Sequence, residues 1–485
     1  MENKHFDFII GSQDLYGEGV LTTIEERGKE MAAELSKHLP FAVIFKGIVR
    51  INEDAVKLIK NANYDDGCAG IIAWCHTFSP SKMWINGLEL LQKPYLHLLT
   101  QYNAEIPNEG IDMDFMNLNQ AAHGDREHSF ILARMRVPHK IIAGYWKDEE
   151  VVRRIGKWEK VAVAASNSHD LKIMRLGDNM REVAVTEGDK IEAQERLGWQ
   201  VNTFPVGELA ELVKEVTDEE AEKLVSSYKK EYETATDNEG SILYQAKEEI
   251  AIKKMLASHG CSAFSTNFQD LYGLRQLPGL AAQHLMEEGC GFGAEGDWKV
   301  AGLGYLINQM GEGNSSFIEA YTYDFLKDGT YSLGAHMLEV NPRIASKKPR
   351  IEVHPLGIGG KEDPARLVFE GKAGKATFSS LIDMGGRLRL IVQDIECVKP
   401  TKSMPNLPVA RVMWKSLSSF TDALECWSMA GGSHHTVLSY DVDAEQLHDW
   451  AKMVGIEFVH IGKNTTPESL EKELFYNDVA WKLRQ

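Results

Sequence analysis

Short apolar runs alternate with amphipathic stretches through the first third of the chain. Phe6–Gly11, Phe41–Val49 and Cys68–His76 are rich in β-branched and aromatic residues, as strands are, while Glu25–Leu39 and Asn52–Asn63 repeat apolar positions at helical spacing. The order is βαβαβ, and Tyr95–Leu99 and Lys140–Tyr145 continue it. Strands apolar on both faces and separated by helices predict a parallel, doubly wound, flavodoxin-like sheet over residues 1–170. Ligands of such sheets bind beyond the carboxyl ends of the strands. Gly11-Ser12-Gln13 and His76-Thr77-Phe78-Ser79-Pro80 sit at two of those ends.

The strand-like runs Lys160–Ala165 and Leu171–Leu176 open a second α/β domain, taken as residues 171–315. A long helical stretch from Gly207 to His259 follows and divides into separate helices. Leu209, Leu212, Val213 and Val216 have i, i+3, i+4, i+7 spacing, and Thr217 with Glu220 forms a capping box that starts the next helix. After about residue 320 the pattern becomes alternating β-rich segments with glycine turns, among them Thr377–Ile382, Gly385-Gly386 and Arg387–Val392. These predict an antiparallel sheet or barrel in a β-rich domain over residues 316–485, closed by helices at Ala444–Val454 and Pro467–Leu483. No internal repeat of fixed period is apparent.

Composition narrows the partners. The 485 residues are 43% hydrophobic, enough for several cores, and carry a formal charge of -18. An acidic surface repels nucleic-acid backbones and anionic membranes, so neither is expected as a partner. No apolar run approaches the roughly 20 residues that span a bilayer, and Phe6–Ile10 is too short for a signal-peptide core, so a cytoplasmic location is expected. The six cysteines are scattered without a C-x-x-C pair and read as reduced, mostly buried thiols.

Standard nucleotide and hydrolase signatures are missing. There is no G-x-x-x-x-G-K-[ST], no H-E-x-x-H and no complete G-x-G-x-x-G; Gly302-Leu303-Gly304 lacks the third glycine, and Gly431-Gly432-Ser433-His434 runs into His435 where a nucleophile elbow needs glycine. What remains is polar residues in glycine-rich or apolar surroundings. Glu295 lies in Gly293-Ala294-Glu295-Gly296, Glu319 follows Phe317-Ile318, His336 follows Gly334-Ala335, and His434-His435 precede Thr436-Val437-Leu438. Two carboxylates and two imidazoles make a mixed O/N set suited to manganese, with cobalt or magnesium as substitutes. Spacing alone does not assemble them. Taken singly, each histidine also reads as a hydrogen-bonded structural residue and each glutamate as a surface charge or cap.

Several ordered segments carry a resemblance. They include Leu15-Tyr16-Gly17, His76 through Pro80, Lys82-Met83-Trp84-Ile85-Asn86-Gly87, Asp112 through Gln120, Gly177-Asp178-Asn179-Met180-Arg181, Gln276-Leu277-Pro278-Gly279, Glu295-Gly296-Asp297-Trp298-Lys299, His336-Met337-Leu338-Glu339-Val340 and Leu356 through Lys361. Through these the chain resembles the L-arabinose isomerase family along essentially its whole length. The resemblance implies a divalent metal, manganese above all, held by Glu295, Glu319, His336 and His435. It also implies substrate contacts at Gln13, Phe78, His123, Met180, Phe268, Tyr321, Ile358 and His434, and a homohexamer whose sites lie at subunit interfaces, so that Phe78 and His123 act in trans. Asp324, Asn341 and Arg343 depart from the family's pattern and bear on the surroundings of the ligands.

The activity implied is conversion of L-arabinose to L-ribulose, and of D-galactose to D-tagatose, through an enediol, with Glu295 and Glu319 as the acid–base pair and no nucleotide cofactor. Three alternatives remain at this point. A related isomerase of L-fucose or D-arabinose would share the metal site. A non-catalytic sugar binder would need no metal, and a nicotinamide-dependent dehydrogenase would need the missing glycine fingerprint.

Overall fold

A computed structural model of the protein describes residues 4–326 and 329–483. The outer limits of the expected domains, residues 1 and 485, lie outside them. The chain divides into two compact units, Met1–Ser166 and Asn167–Gln485.

In the first unit, β1 (His5–Gly11), β2 (Ala42–Val49), β3 (Cys68–Cys75), β4 (Tyr95–Leu99) and β5 (Lys140–Ala143) form an all-parallel sheet in the order β2-β1-β3-β4-β5. This is the doubly wound order expected. Every residue of β3 is buried, because it has strands on both sides and helices on both faces, whereas edge strand β2 alternates. The helix Asn52–Tyr64 buries Ala55, Ile59 and Ala62 at i, i+4, i+7. The first helix runs Glu18–Leu35, starting nearly two turns before the expected Glu25 and stopping before Pro40.

One strand expectation is overturned. Lys160–Ala165, read as a strand, is the last part of the helix Glu149–Ser168. Val151, Ile155, Trp158, Ala162 and Ala165 are all buried, at steps of four and three. That helical repeat begins well upstream and overrides the local β-propensity of Val161 and Val163.

The second unit opens with a parallel sheet of β6 (Lys172–Leu176), β7 (Gln200–Phe204), β9 (Ala263–Thr266) and β10 (Gly291–Gly293), in the order β10-β9-β6-β7. The short β8 (Glu233–Thr234) pairs instead with β13 (Arg350–Val353), which pairs with β14 (Ala365–Val368). The expected helical stretch resolves into Val206–Glu215, Asp218–Glu231 and Glu239–His259, and Thr217 with Glu220 forms the capping box.

The β-rich part is a closed barrel. β11 (Ser315–Leu326), β12 (Gly329–Ala335), β15 (Gly374–Asp383), β16 (Leu388–Val398), β17 (Arg411–Ser416) and β18 (His435–Ser439) pair antiparallel around a ring that β15–β16 closes, and β19 (Glu457–Ile461) adds parallel to β16. Closure removes the free edges of an open sheet. The closing helices are Ala444–Val454 and Pro467–Lys482; Leu470 of the latter is buried with Ile391, Val459 and Ile461. Among the described residues, no helix is long and apolar enough to cross a membrane.

Candidate active site

The carboxyl ends of β6, β9 and β10 lead into the loops that carry Met180, Phe268 and Glu295. Glu295 follows the last strand residue by two positions and has φ of 58°, a left-handed conformation that costs a residue with a Cβ on the order of 1 kcal/mol. The next residue, Gly296, has φ of 82° and packs against Asp178 and Asn179, where a Cβ would lie 2.6 Å from backbone. Two left-handed residues in succession turn the Glu295 side chain back over the strand ends, and only the second position needs glycine.

The barrel supplies the other groups through strand register. Glu319 on β11 pairs with His435 on β18 to one side and with Ala335 on β12 to the other, and His336 follows Ala335. Glu319 and His435, far apart in sequence, are therefore cross-strand neighbours. His435 Nε2 lies 3.2 Å from Glu319 Oε1 and 3.6 Å from Glu295 Oε2; His336 Nε2 lies 3.6 Å from Glu319 Oε1.

The outer nitrogens of both imidazoles face carboxylates as well. His435 Nδ1 is 3.1 Å from Asp297 Oδ2, and His336 Nδ1 bonds Glu339 Oε2. Such partners fix the ring so that Nε2 points inward. Neither Asp297 nor Glu339 was singled out in the sequence, although each lies within three residues of an expected ligand. Asp297 also caps the helix Trp298–Met310 and faces the buried Lys299 at 3.0 Å. Lys299 in turn donates to the carbonyls of Thr186 and Glu187, tying the site floor to the loop after Met180.

The electrostatics favour added positive charge. Burial tends to raise the pKa of Glu295, but His434, His435 and His336 outweigh it and hold the carboxyl at about 2. Glu319 is lowered for the same reason, against burial, by His435 and His336. Burial tends to lower the two histidines, yet Glu339 and Glu319 raise His336, and Asp297, Glu295 and Glu319 raise His435. The buried His435 Nε2 has no hydrogen-bond partner. An orphaned imidazole nitrogen facing two carboxylates, with a second imidazole turned to the same oxygens, fits a hard or borderline divalent cation.

Glu295, Glu319 and His336 line a cleft of about 190 Å³ together with Met180, Thr266, Phe268, Tyr321 and Ile358. Burial pushes the Tyr321 hydroxyl up to about 12, so it is an uncharged donor beside the carboxylates. His434 is half-exposed, with Nε2 4.0 Å from Glu295. The remaining expected contacts, Gln13, Phe78 and His123, belong to the first unit. There Gln13 follows Ser12, whose hydroxyl bonds Thr77, and the Phe78 and His123 rings meet edge to face at 6.4 Å. Gln13 and Phe78 follow the carboxyl ends of β1 and β3.

Two of the three departures from the family pattern bond backbone carbonyls and the third forms an ion pair. Asn341 donates to the carbonyls of Met286 and Ser315, Arg343 to those of Glu287 and Glu312, and Asp324 pairs with Lys402.

Three family models match the chain in succession: the L-arabinose isomerase N-terminal domain over residues 1–170, the central domain over 172–313 and the C-terminal domain over 314–457. The chain is 51% identical to the L-arabinose isomerase of Thermotoga petrophila, over 100% of this chain and 99% of that protein. It is 50% identical to that of Geobacillus kaustophilus, over 99% and 98%. Identity to L-arabinose isomerase 1 of Bacillus licheniformis is 51%, again over 99% and 98%.

Proposed function

The chain belongs to the L-arabinose isomerase family, whose members are enzymes that isomerise aldoses to ketoses, and from that premise we propose a metal-dependent conversion of L-arabinose to L-ribulose, and of D-galactose to D-tagatose, through an enediol. The observation that carries the metal is the orphaned His435 Nε2 facing Glu295 and Glu319.

Glu295, Glu319, His336 and His435 would hold the ion, with manganese preferred and cobalt or magnesium able to replace it. When bound, such an ion supplies Lewis-acid polarisation of neighbouring sugar oxygens. The protein's own groups do the rest. One of the two ionised glutamates removes the proton on C2, and the other passes a proton between the O1 and O2 oxygens, so that hydrogen moves from C2 to C1 without net redox change. Asp297 and Glu339 hold the imidazoles in place while this happens. Met180, Phe268 and Ile358 cover the sugar's carbon face and keep bulk water from the enediol. No nicotinamide takes part.

Gln13, Phe78 and His123 would complete the cleft of a neighbouring subunit in a cytoplasmic homohexamer. Support for self-association comes from four exposed apolar side chains within one short segment of the first unit, Ile106, Ile111, Met113 and Met116.

The test is ketose formation from L-arabinose by chelated protein, with and without manganese and without nicotinamide. Manganese-restored L-ribulose is expected. Equal turnover before and after complete chelation would remove the metal, and no ketose under any metal would remove L-arabinose as substrate.

A further inference from the structure

A second cluster of metal-ligating side chains lies within the first unit, outside the chemistry above. Cys75 ends β3, His97 is the middle residue of β4, and Asp125 is on the helix Ala121–Met135. Their ligand atoms all lie within 4.8 Å of one another, and all three residues are buried, His97 completely and Asp125 to 7% exposure. His97 Nε2 faces Asp125 Oδ1 across 3.3 Å, yet neither atom has a hydrogen-bond partner.

The surroundings prepare the imidazole as a ligand. His97 Nδ1 lies 3.3 Å from Ser129 Oγ, one turn beyond Asp125 on the same helix. With Nδ1–H donating to that hydroxyl, Nε2 presents a bare lone pair to Cys75 and Asp125. The adjacent His128, whose ring centroid is 4.9 Å away, differs: its Nε2 pairs with the Tyr95 hydroxyl at 2.8 Å and its Nδ1 with Ser81 at 3.4 Å. Gly124 lets the helix close on the strand, since a Cβ there would lie 2.6 Å from Cys75 Cβ.

Distance and charge select the ion. A tetrahedral centre at about 2.0–2.1 Å from an imidazole nitrogen and about 2.0–2.2 Å from a carboxylate oxygen separates them by about 3.3 Å, as observed for His97 and Asp125. One thiolate and one carboxylate cancel a divalent charge, and a neutral imidazole leaves the buried site uncharged. Without a cation, burial pushes the Cys75 thiol far up and it stays protonated. A related trio, His5, Asp7 and Cys68, already has a cation, because Lys46 Nζ lies 3.3 Å from Asp7.

We propose that Cys75, His97 and Asp125 bind a divalent ion of the zinc class, which pins the helix Ala121–Met135 to β3 and β4. The site is separate from the carboxylate–imidazole site, which contains no sulfur ligand. The fourth position falls to a water or to the second oxygen of Asp125.

Sulfur ligation is the readout. Because the pocket is closed, full-length protein is expressed in cobalt-supplemented medium so that the ion enters during folding, and it is then dialysed against EDTA. The expected result is a near-ultraviolet sulfur-to-cobalt charge-transfer band and one cobalt retained per chain. Both disappear in Cys75→Ala and persist in Cys68→Ala. Cobalt at the carboxylate–imidazole site gives no such band, so failure of that site leaves this result readable. Absence of the band in the unsubstituted protein, or its survival in Cys75→Ala, overturns the proposal. If Cys75→Ala does not fold, zinc-edge X-ray absorption of the unsubstituted, EDTA-dialysed protein decides: a sulfur at about 2.3 Å supports the site, and a shell of nitrogen and oxygen alone, or no retained zinc, overturns it.

Discussion

Glu295 and Glu319 differ in how they are held, one by a left-handed turn and the other by strand register, yet both oxygens face His435. Each amide variant keeps side-chain volume and removes the charge. Glu295→Gln and Glu319→Gln are therefore each expected to lower turnover by about 10²–10⁴-fold with an unchanged far-ultraviolet circular dichroism spectrum. Near-normal turnover in either would refute that residue's assignment. A second residue-scale effect concerns stability. His76 is buried, accepts from Arg27 at Nε2 and donates from Nδ1 to the Leu118 carbonyl, and burial with the Arg27 charge lowers its pKa from 6.5 to about 4. A depressed folded-state value means that the stabilisation is full above about pH 6.5 and lost as pH falls through about 4. The loss is about 3 kcal/mol. Urea unfolding at pH 7 and pH 4 should show this fall in the unsubstituted protein and a smaller one in His76→Gln; equal falls would refute it.

At the scale of the element, the helix Trp298–Met310 is joined to the site by its N-cap. Asp297 accepts from the Lys299 and Val300 amides, and it also faces buried Lys299 and His435. Asparagine caps as well as aspartate, so Asp297→Asn isolates the charge. Leaving a buried ammonium without its counter-ion outweighs a lost cap: Asp297→Asn should cost about 3 kcal/mol, whereas Ser419→Ala, at the exposed cap of Phe420–Met429, should cost about 1 kcal/mol. Urea titrations of the two variants compare these directly, and a cost for Asp297→Asn no larger than that for Ser419→Ala would refute the role of the charge. The same scale shows where local reading fails. Leu209, Leu212 and Val213, with the Thr217–Glu220 box, were legible because helix periodicity and capping are local. Lys160–Ala165 was misread because its governing repeat starts at Val151, outside the window that looked strand-like.

For the whole molecule, the proposed hexamer has two consequences. Light scattering should give the mass of six 54.4 kDa chains. Co-expressed Glu319→Gln and His123→Ala chains, each inactive alone, should regain activity, because some sites then draw both intact parts from different subunits. A monomeric mass, or no recovery in mixed assemblies, would refute sharing of the site in trans.

The βαβ alternation, the barrel's glycine-punctuated strands and the family motifs are properties of short windows, so residue order alone determined the fold class and the family. The identities of Glu295, Glu319, His336 and His435 were reachable because their motifs resemble known ones, not because spacing grouped them. Tertiary structure decided the rest. Barrel closure and cross-strand register bring His336 and His435, 99 positions apart, within 3.6 Å of the Glu319 carboxylate, and packing alone exposes the partners Asp297 and Glu339 and the orphaned atoms of His97 and Asp125. Those facts depend on long-range contacts and burial, and a one-dimensional pattern carries neither.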